Sequence, residues 1–166
     1  DLSESLNTKY IRMLLNLYCK FINLFTYEEL KNAVKMMVVF GGKLLKNKEK
    51  IFEWDLLVFV YLNFFLEIES SQFFHQFDKK IIPVIKNIIQ IYQKLKPTLL
   101  EVNSKFILIC INLKKSTNEL QEIGLEIANM IFKSPSLPIV YKILLAHHFK
   151  TLNSQPSELQ IDIPDL

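Results

Sequence analysis

The apolar positions of this chain recur at helical spacing almost from end to end, with one stretch of different character. From Ile51 to Ile68 the sequence reads IFEWDLLVFVYLNFFLEI, and between Leu56 and Leu66 only Asn63 is polar. A surface helix shows a single apolar stripe, whereas a helix apolar nearly all round is covered on several sides. This stretch therefore predicts a central helix over 52–68. Glu53, Asp55 and Glu67 close the run short of the ~20 residues that a membrane-spanning helix requires, so a helix buried in protein is expected.

The flanking segments supply elements that could cover it. Ile11, Leu14, Leu15, Tyr18, Phe21, Ile22 and Phe25 recur at spacings of three and four, which predicts a first amphipathic helix over Thr8–Phe25 behind a polar lead-in. Thr26 and Glu29 have the spacing of a capping box, so a second helix is expected from Tyr27 with Leu30, Val34, Met37, Val38 and Phe40 inward. Gly41-Gly42 is expected to end or break it. After the central helix, Gln72–Phe77 reads as a short turn burying Phe73, Phe74 and Phe77. Asp78 reads as the cap of a fourth helix with Pro83 near its first turn, stopped by Pro97. Thr98 with Glu101, and Ser116 with Glu119, predict capping boxes that open a fifth and a sixth helix. Gly124 and Ala128 on the sixth would admit a close neighbour. A seventh helix is expected from the Pro135–Pro138 turn to about Leu152, with Val140, Ile143, Leu144 and Phe149 inward. No strand alternation and no hairpin dipeptide appears. The fold class expected is all-α: about seven antiparallel helices in a single domain over 1–152, then an extended acidic-apolar tail over 153–166.

Composition adjusts this picture in a few places. Half the residues are hydrophobic and only three are glycine, which supports a large core with few loops. The net charge of +3 is mild, and Arg12 is the only arginine. Arginine's planar fork is the usual tool for reading phosphate and guanine, so its scarcity argues against a nucleic-acid binder. Cys19 and Cys110 each lie inside an apolar helical pattern, as buried thiols do. A domain with its own core needs no disulfide, which points to a reducing intracellular compartment, cytoplasmic or nuclear. The start at Asp1 rather than Met reads as a processed chain or as part of a longer polypeptide.

Candidate chemistry is sparse. His147 and His148 are adjacent, so their side chains diverge by about 100° on a helix, and neither has an acid three or four residues earlier. No metal site follows. His75 sits among phenylalanines and is expected as a partly buried core histidine. Gly41-Gly42-Lys43 lacks the spacing of a nucleotide loop, and Glu28, Glu29, Glu53 and Glu101 are accounted for as charges at helix starts. No catalytic residue, metal ligand or cofactor site is assigned. Two lysine groups remain, Lys43, Lys46, Lys48 and Lys50 in one and Lys114 and Lys115 in the other. Each follows a helix, where lysine complements the dipole.

Every second predicted helix start is separated by roughly 38–52 residues, against the ~40–47 of a HEAT or armadillo unit. By helix rhythm, Thr98–Leu113 with Glu119–Lys133, then Ser136–Leu152, resembles one HEAT-type unit and half the next. The Asp and Arg that HEAT units carry in the second helix and turn are missing, and trafficking or polymerase-tail-binding helical domains have similar size. The resemblance implies a right-handed superhelical stack and, for function, a non-catalytic protein–protein interaction module within a larger eukaryotic scaffold or regulatory subunit. Such a module would bind a partner helix or peptide in an interhelical groove of mixed apolar and lysine character. The partner face expected is the sixth helix with Lys43, Lys46, Lys48, Lys50, Lys114 and Lys115. Ile161, Ile163 and Leu166 of the tail are expected to dock on the helical body or on a second copy. The alternatives are an RNA-binding helical repeat using the lysine clusters, and a compact helical enzyme or small-ligand binder.

Overall fold

The computed structural model of the chain describes residues 2–51, 53–94, 100–135 and 137–150. Among these the fold is all-α: seven helices, three single-turn 3-10 segments and no strand. The helices are α1 (Leu2–Phe21), α2 (Tyr27–Lys46), α3 (Trp54–Glu69), α4 (Asp78–Lys94), α5 (Leu100–Leu113), α6 (Asn118–Phe132) and α7 (Ile139–His148). They fall into two compact units, Asp1–Leu95 and Lys96–Leu166.

In the first unit α3 is the centre that its composition predicts. Leu57, Val58, Val60, Tyr61, Leu62, Phe64, Phe65 and Ile68 are all buried, spread round the helix rather than along one stripe. Side-chain bonds give the directions of its neighbours. Trp54 Nε1 donates to the Leu44 carbonyl at 2.9 Å and Tyr61 Oη to that of Met37 at 3.1 Å, so α3 runs antiparallel to α2. Asn87 Nδ2 donates to the Val38 carbonyl at 3.1 Å and Lys94 Nζ to that of Leu45 at 2.7 Å, so α4 runs parallel to α2. Arg12 Nη1 lies 3.4 Å from Glu53 Oε2, and the Tyr18 ring stacks on Phe64 at 5.9 Å, so α1 runs parallel to α3. The unit thus has two rows, α1 beside α3 and α2 beside α4.

Several boundaries differ from those expected. α1 starts at Leu2 rather than Thr8, because nothing in the lead-in breaks a helix, and it ends in a 3-10 turn over Ile22–Leu24. Of its expected inward face only Leu15 and Ile22 are fully buried; Tyr18 and Phe21 are exposed. α2 runs unbroken through Gly41-Gly42 to Lys46. Gly41 is set by packing rather than by backbone freedom: a Cβ there would lie 2.5 Å from Tyr61 Oη and 2.8 Å from Asn87 Nδ2. Pro83 lies inside α4 rather than in its first turn. It sits on the exposed face, where water can reach the carbonyl left without a donor. The only non-glycine residue with positive φ among the described residues is Glu53, at φ 55° just before α3. Its carbonyl accepts from Leu56 and Leu57 at 3.0 and 3.2 Å. Phe74 and Phe77 are buried as expected, but Phe73 is only partly so, and His75 is exposed because its turn aims Phe74 inward.

In the second unit α5 and α6 form a hairpin. The sixth-helix glycine acts as expected: a Cβ on Gly124 would stand 3.0 Å from Leu113 Cβ and 3.2 Å from the Cys110 carbonyl, so α5 comes close there. Leu120, Ile127, Ala128 and Ile131 bury the α6 stripe. The capping box expected at Ser116–Glu119 does not form. The cap is Thr117, without a side-chain bond, while Ser116 closes α5 through bonds to the Leu113 and Asn112 carbonyls. The box expected at Thr98–Glu101 lies outside the described residues. α7 stops at His148 and buries Leu145, Ala146 and Phe149; Val140, Ile143 and Leu144, expected inward, are exposed with Ile139.

Candidate interaction surface

A concavity lies in the first unit, where the end of α1 meets the start of α2. Its construction begins with Thr26. The backbone amide and Oγ1 of Thr26 each donate to Glu29 Oε2 at 2.8 Å, and the Glu29 amide donates back to Thr26 Oγ1 at 3.4 Å. This is the capping box that the sequence predicts, and it fixes where α2 turns away from α1. These bonds, the one from the Thr26 amide first, hold the Glu29 carboxyl below its ordinary 4.5, so it is an anion at neutral pH. On the α1 side Tyr18 is held from two directions, stacked on Phe64 and edge-on to Phe25 at 5.8 Å.

The resulting groove has a volume of about 360 Å³ and is lined by Tyr18, Phe25, Glu29, Asn32, Ala33 and Met36. Ala33 keeps it open because its side chain ends at Cβ. Met36, unbranched and polarizable, is the kind of wall that adapts to different shapes. Two aromatic rings and Met36 supply an apolar body, and Glu29 and Asn32 supply a carboxylate and an amide. The volume lies at the small end of the ~300–1,000 Å³ typical of ligand pockets, enough for one or two large side chains. The groove contains no lysine, unlike the mixed apolar and lysine lining expected.

The lysines expected at a partner face have other engagements. Lys43 and Lys46 are exposed in the last turn of α2. Lys48 Nζ donates to the Lys94 carbonyl at 2.6 Å and lies 5.3 Å from the Trp54 ring. Lys94 returns the arrangement by donating to the Leu45 carbonyl, so the ends of α2 and α4 cap each other. Lys50 lies in the 3-10 turn after α2. In the second unit Lys114 Nζ donates to the His148 carbonyl at the end of α7 and sits 5.4 Å from the Phe149 ring. Lys115 is exposed beside it. Ile161, Ile163 and Leu166 lie outside the described residues.

No group of three His, Cys, Asp or Glu side chains that could hold a metal ion occurs among the described residues. His147 and His148 lie edge to face at 5.5 Å. Burial first, then the charges of His147, Lys114 and Lys115, lowers the His148 pKa. Cys110 is buried and Cys19 half-buried, and neither is in a disulfide. Burial, with the Glu67 carboxylate, pushes the Cys19 thiol up to about 11, so it is not a thiolate nucleophile at neutral pH. Among the described residues no helix is long and apolar enough to cross a membrane.

The groove residues were not singled out by the pattern along the chain. Tyr18 and Phe25 belong to the inward set expected for the first helix and Glu29 to the expected capping box, but no spacing marks them as walls of one groove. The chain matches no protein-family model, no curated protein and no solved structure.

Proposed function

We propose that this chain is a non-catalytic protein-interaction module that takes the apolar side chains of a partner helix or extended peptide into the groove between α1 and α2. The observation that carries the reading is the groove itself: a small concavity with aromatic walls, an alanine floor and two polar groups at its edge. Interface energy concentrates where a few large apolar anchors enter such pockets. Glu29 would favour a partner with a cationic or N–H donor group beside the anchor. The two rows of parallel helices in the first unit are the arrangement that helical-repeat stacks use, and they support a HEAT- or armadillo-like scaffold role inside a eukaryotic cell. Thiols kept out of disulfides agree with an intracellular site.

The test is a selection from a displayed library of random 16-residue peptides against the whole chain, with counter-selection on the chain carrying Ala33→Arg, which fills the groove. The expected result is a set of peptides with two large apolar residues three or four apart that lose at least tenfold in affinity on the variant. Peptides that bind the two chains equally, or no enrichment at all, would remove the reading.

A further inference from the structure

The outer side of α7, in the second unit, carries an apolar stripe separate from the groove. Ile139, Val140, Ile143 and Leu144 are 51, 62, 37 and 39% exposed, while Leu145 and Ala146 are buried. At 100° per residue the four fall within about 140° of arc, and Leu145 points about 170° from its middle. His147, also exposed, lies on the same arc one turn beyond Ile143. At that end the surface turns basic. Lys150 is exposed just after the helix, Lys114 Nζ donates to the His148 carbonyl, and Lys115 stands close enough for its charge to act on His148. Up to residue 150 the second unit holds seven lysines against four glutamates, so it is cationic as a whole. A segment that suits this face is apolar on one side and acidic.

We propose that the occupant is the chain's own tail, with Leu159, Ile161 and Ile163 laid along the stripe and Leu159 at the Ile139 end. Residues 151–166 lie outside the described residues, and three properties of their sequence select them. The first is charge: Glu158, Asp162 and Asp165 are the only charged side chains after Lys150, opposite in sign to the rest of the unit. In the stated direction Glu158 stands at the start of α7, where the helix dipole favours an anion, and Asp162 and Asp165 stand at the basic end. The second is length. Leu159, Ile161 and Ile163 share one side of an extended segment and span ~13 Å, against the ~12 Å from residue 139 to 147 on the helix. The eight residues 151–158 reach up to ~26 Å, enough to return along the ~15 Å of α7. The third is attachment. A tether this short holds its end at an effective concentration on the order of mM, an advantage that no separate partner of the same chemistry has.

Ile143→Cys places a thiol in the middle of the stripe and tests this in the whole chain. Its alkylation by N-ethylmaleimide is followed by mass spectrometry, with the native Cys19 as reference, in that chain and in the same chain carrying Ile161→Asp and Ile163→Asp. Alkylation is expected to be roughly fivefold or more slower with the native tail, because the docked side chains cover the thiol. Equal rates in the two chains, fast or slow, would overturn the proposal. Paired cysteines test direction and attachment. Leu144→Cys with Ile163→Cys, oxidised at ~1 µM, is expected to give an intrachain disulfide in roughly fivefold higher yield than Ile139→Cys with Ile163→Cys. Equal yields would overturn the stated direction, and a covalent dimer would assign the face to the tail of a second copy and overturn the proposal.

Discussion

Leu62 and Leu17 are the same side chain in two helices that pack side by side, yet the first is fully buried and the second is 43% exposed. Leu62 belongs to α3, which has α1 on one side and α2 on another. Leu17 belongs to α1, at the end of its row, where the far side meets nothing in the chain's own first unit. The difference teaches what an apolar run specifies. It states how many sides of a helix need cover, and leaves open whether that cover comes from the same chain. For α3 the chain supplies it. For α1 the described residues supply one side.

The sharpest way to break this comparison is Leu62→Ala. A fully buried leucine truncated to alanine loses its transfer free energy and leaves a cavity, at a cost of roughly 2–5 kcal/mol. Urea unfolding followed by circular dichroism should show the midpoint falling with no change in slope. A loss below ~1 kcal/mol would mean that α3 is not the packed centre of the first unit.

The second effect in size concerns the two glycines of α2, where the contrast of covered and uncovered recurs between neighbours in sequence. A Cβ at position 41 would collide with Tyr61 Oη and Asn87 Nδ2, whereas nothing lies within 4 Å of one at position 42. Tyr61 cannot simply retreat: its hydroxyl is tied to the Met37 carbonyl, and burial pushes its pKa up, keeping it a neutral donor. Gly41→Ala is therefore expected to cost about 1–3 kcal/mol from overpacking, less the ~1 kcal/mol that alanine gains over glycine in a helix. Gly42→Ala is the control and should stabilise by up to ~1 kcal/mol. Equal shifts for both in thermal unfolding would mean that α4 does not press on α2 at Gly41.

These glycines also show what the sequence made legible. Gly41-Gly42 reads as a break because propensity is local, while the reason for Gly41 lies 20 residues on at Tyr61 and 46 on at Asn87. Thr26–Glu29 is read correctly because all its partners lie within four residues. Ser116–Glu119 has the same spacing and fails because Ser116 is already used in closing α5. The small pair Gly124 and Ala128 is legible because it shares one helix face. The outward side of α7 is not, since a ten-residue helix with apolar residues on both sides gives no preferred phase. The lysine groups are legible as helix-end charges, and Lys48, Lys94 and Lys114 go further by bonding the carbonyls of other helices. The groove itself needed Tyr18, Phe25 and α2 brought together, and no spacing along the chain encodes that.

The smallest effect is the most diagnostic for α1. Leu17→Ala repeats the chemistry of Leu62→Ala at the uncovered position, and within a single copy it should change stability by no more than ~0.5 kcal/mol, as surface substitutions do. Urea unfolding followed by circular dichroism should show wild type and Leu17→Ala nearly coinciding. A loss of several kcal/mol would mean that Leu17 is covered within the chain, and the distinction between α1 and α3 would then collapse.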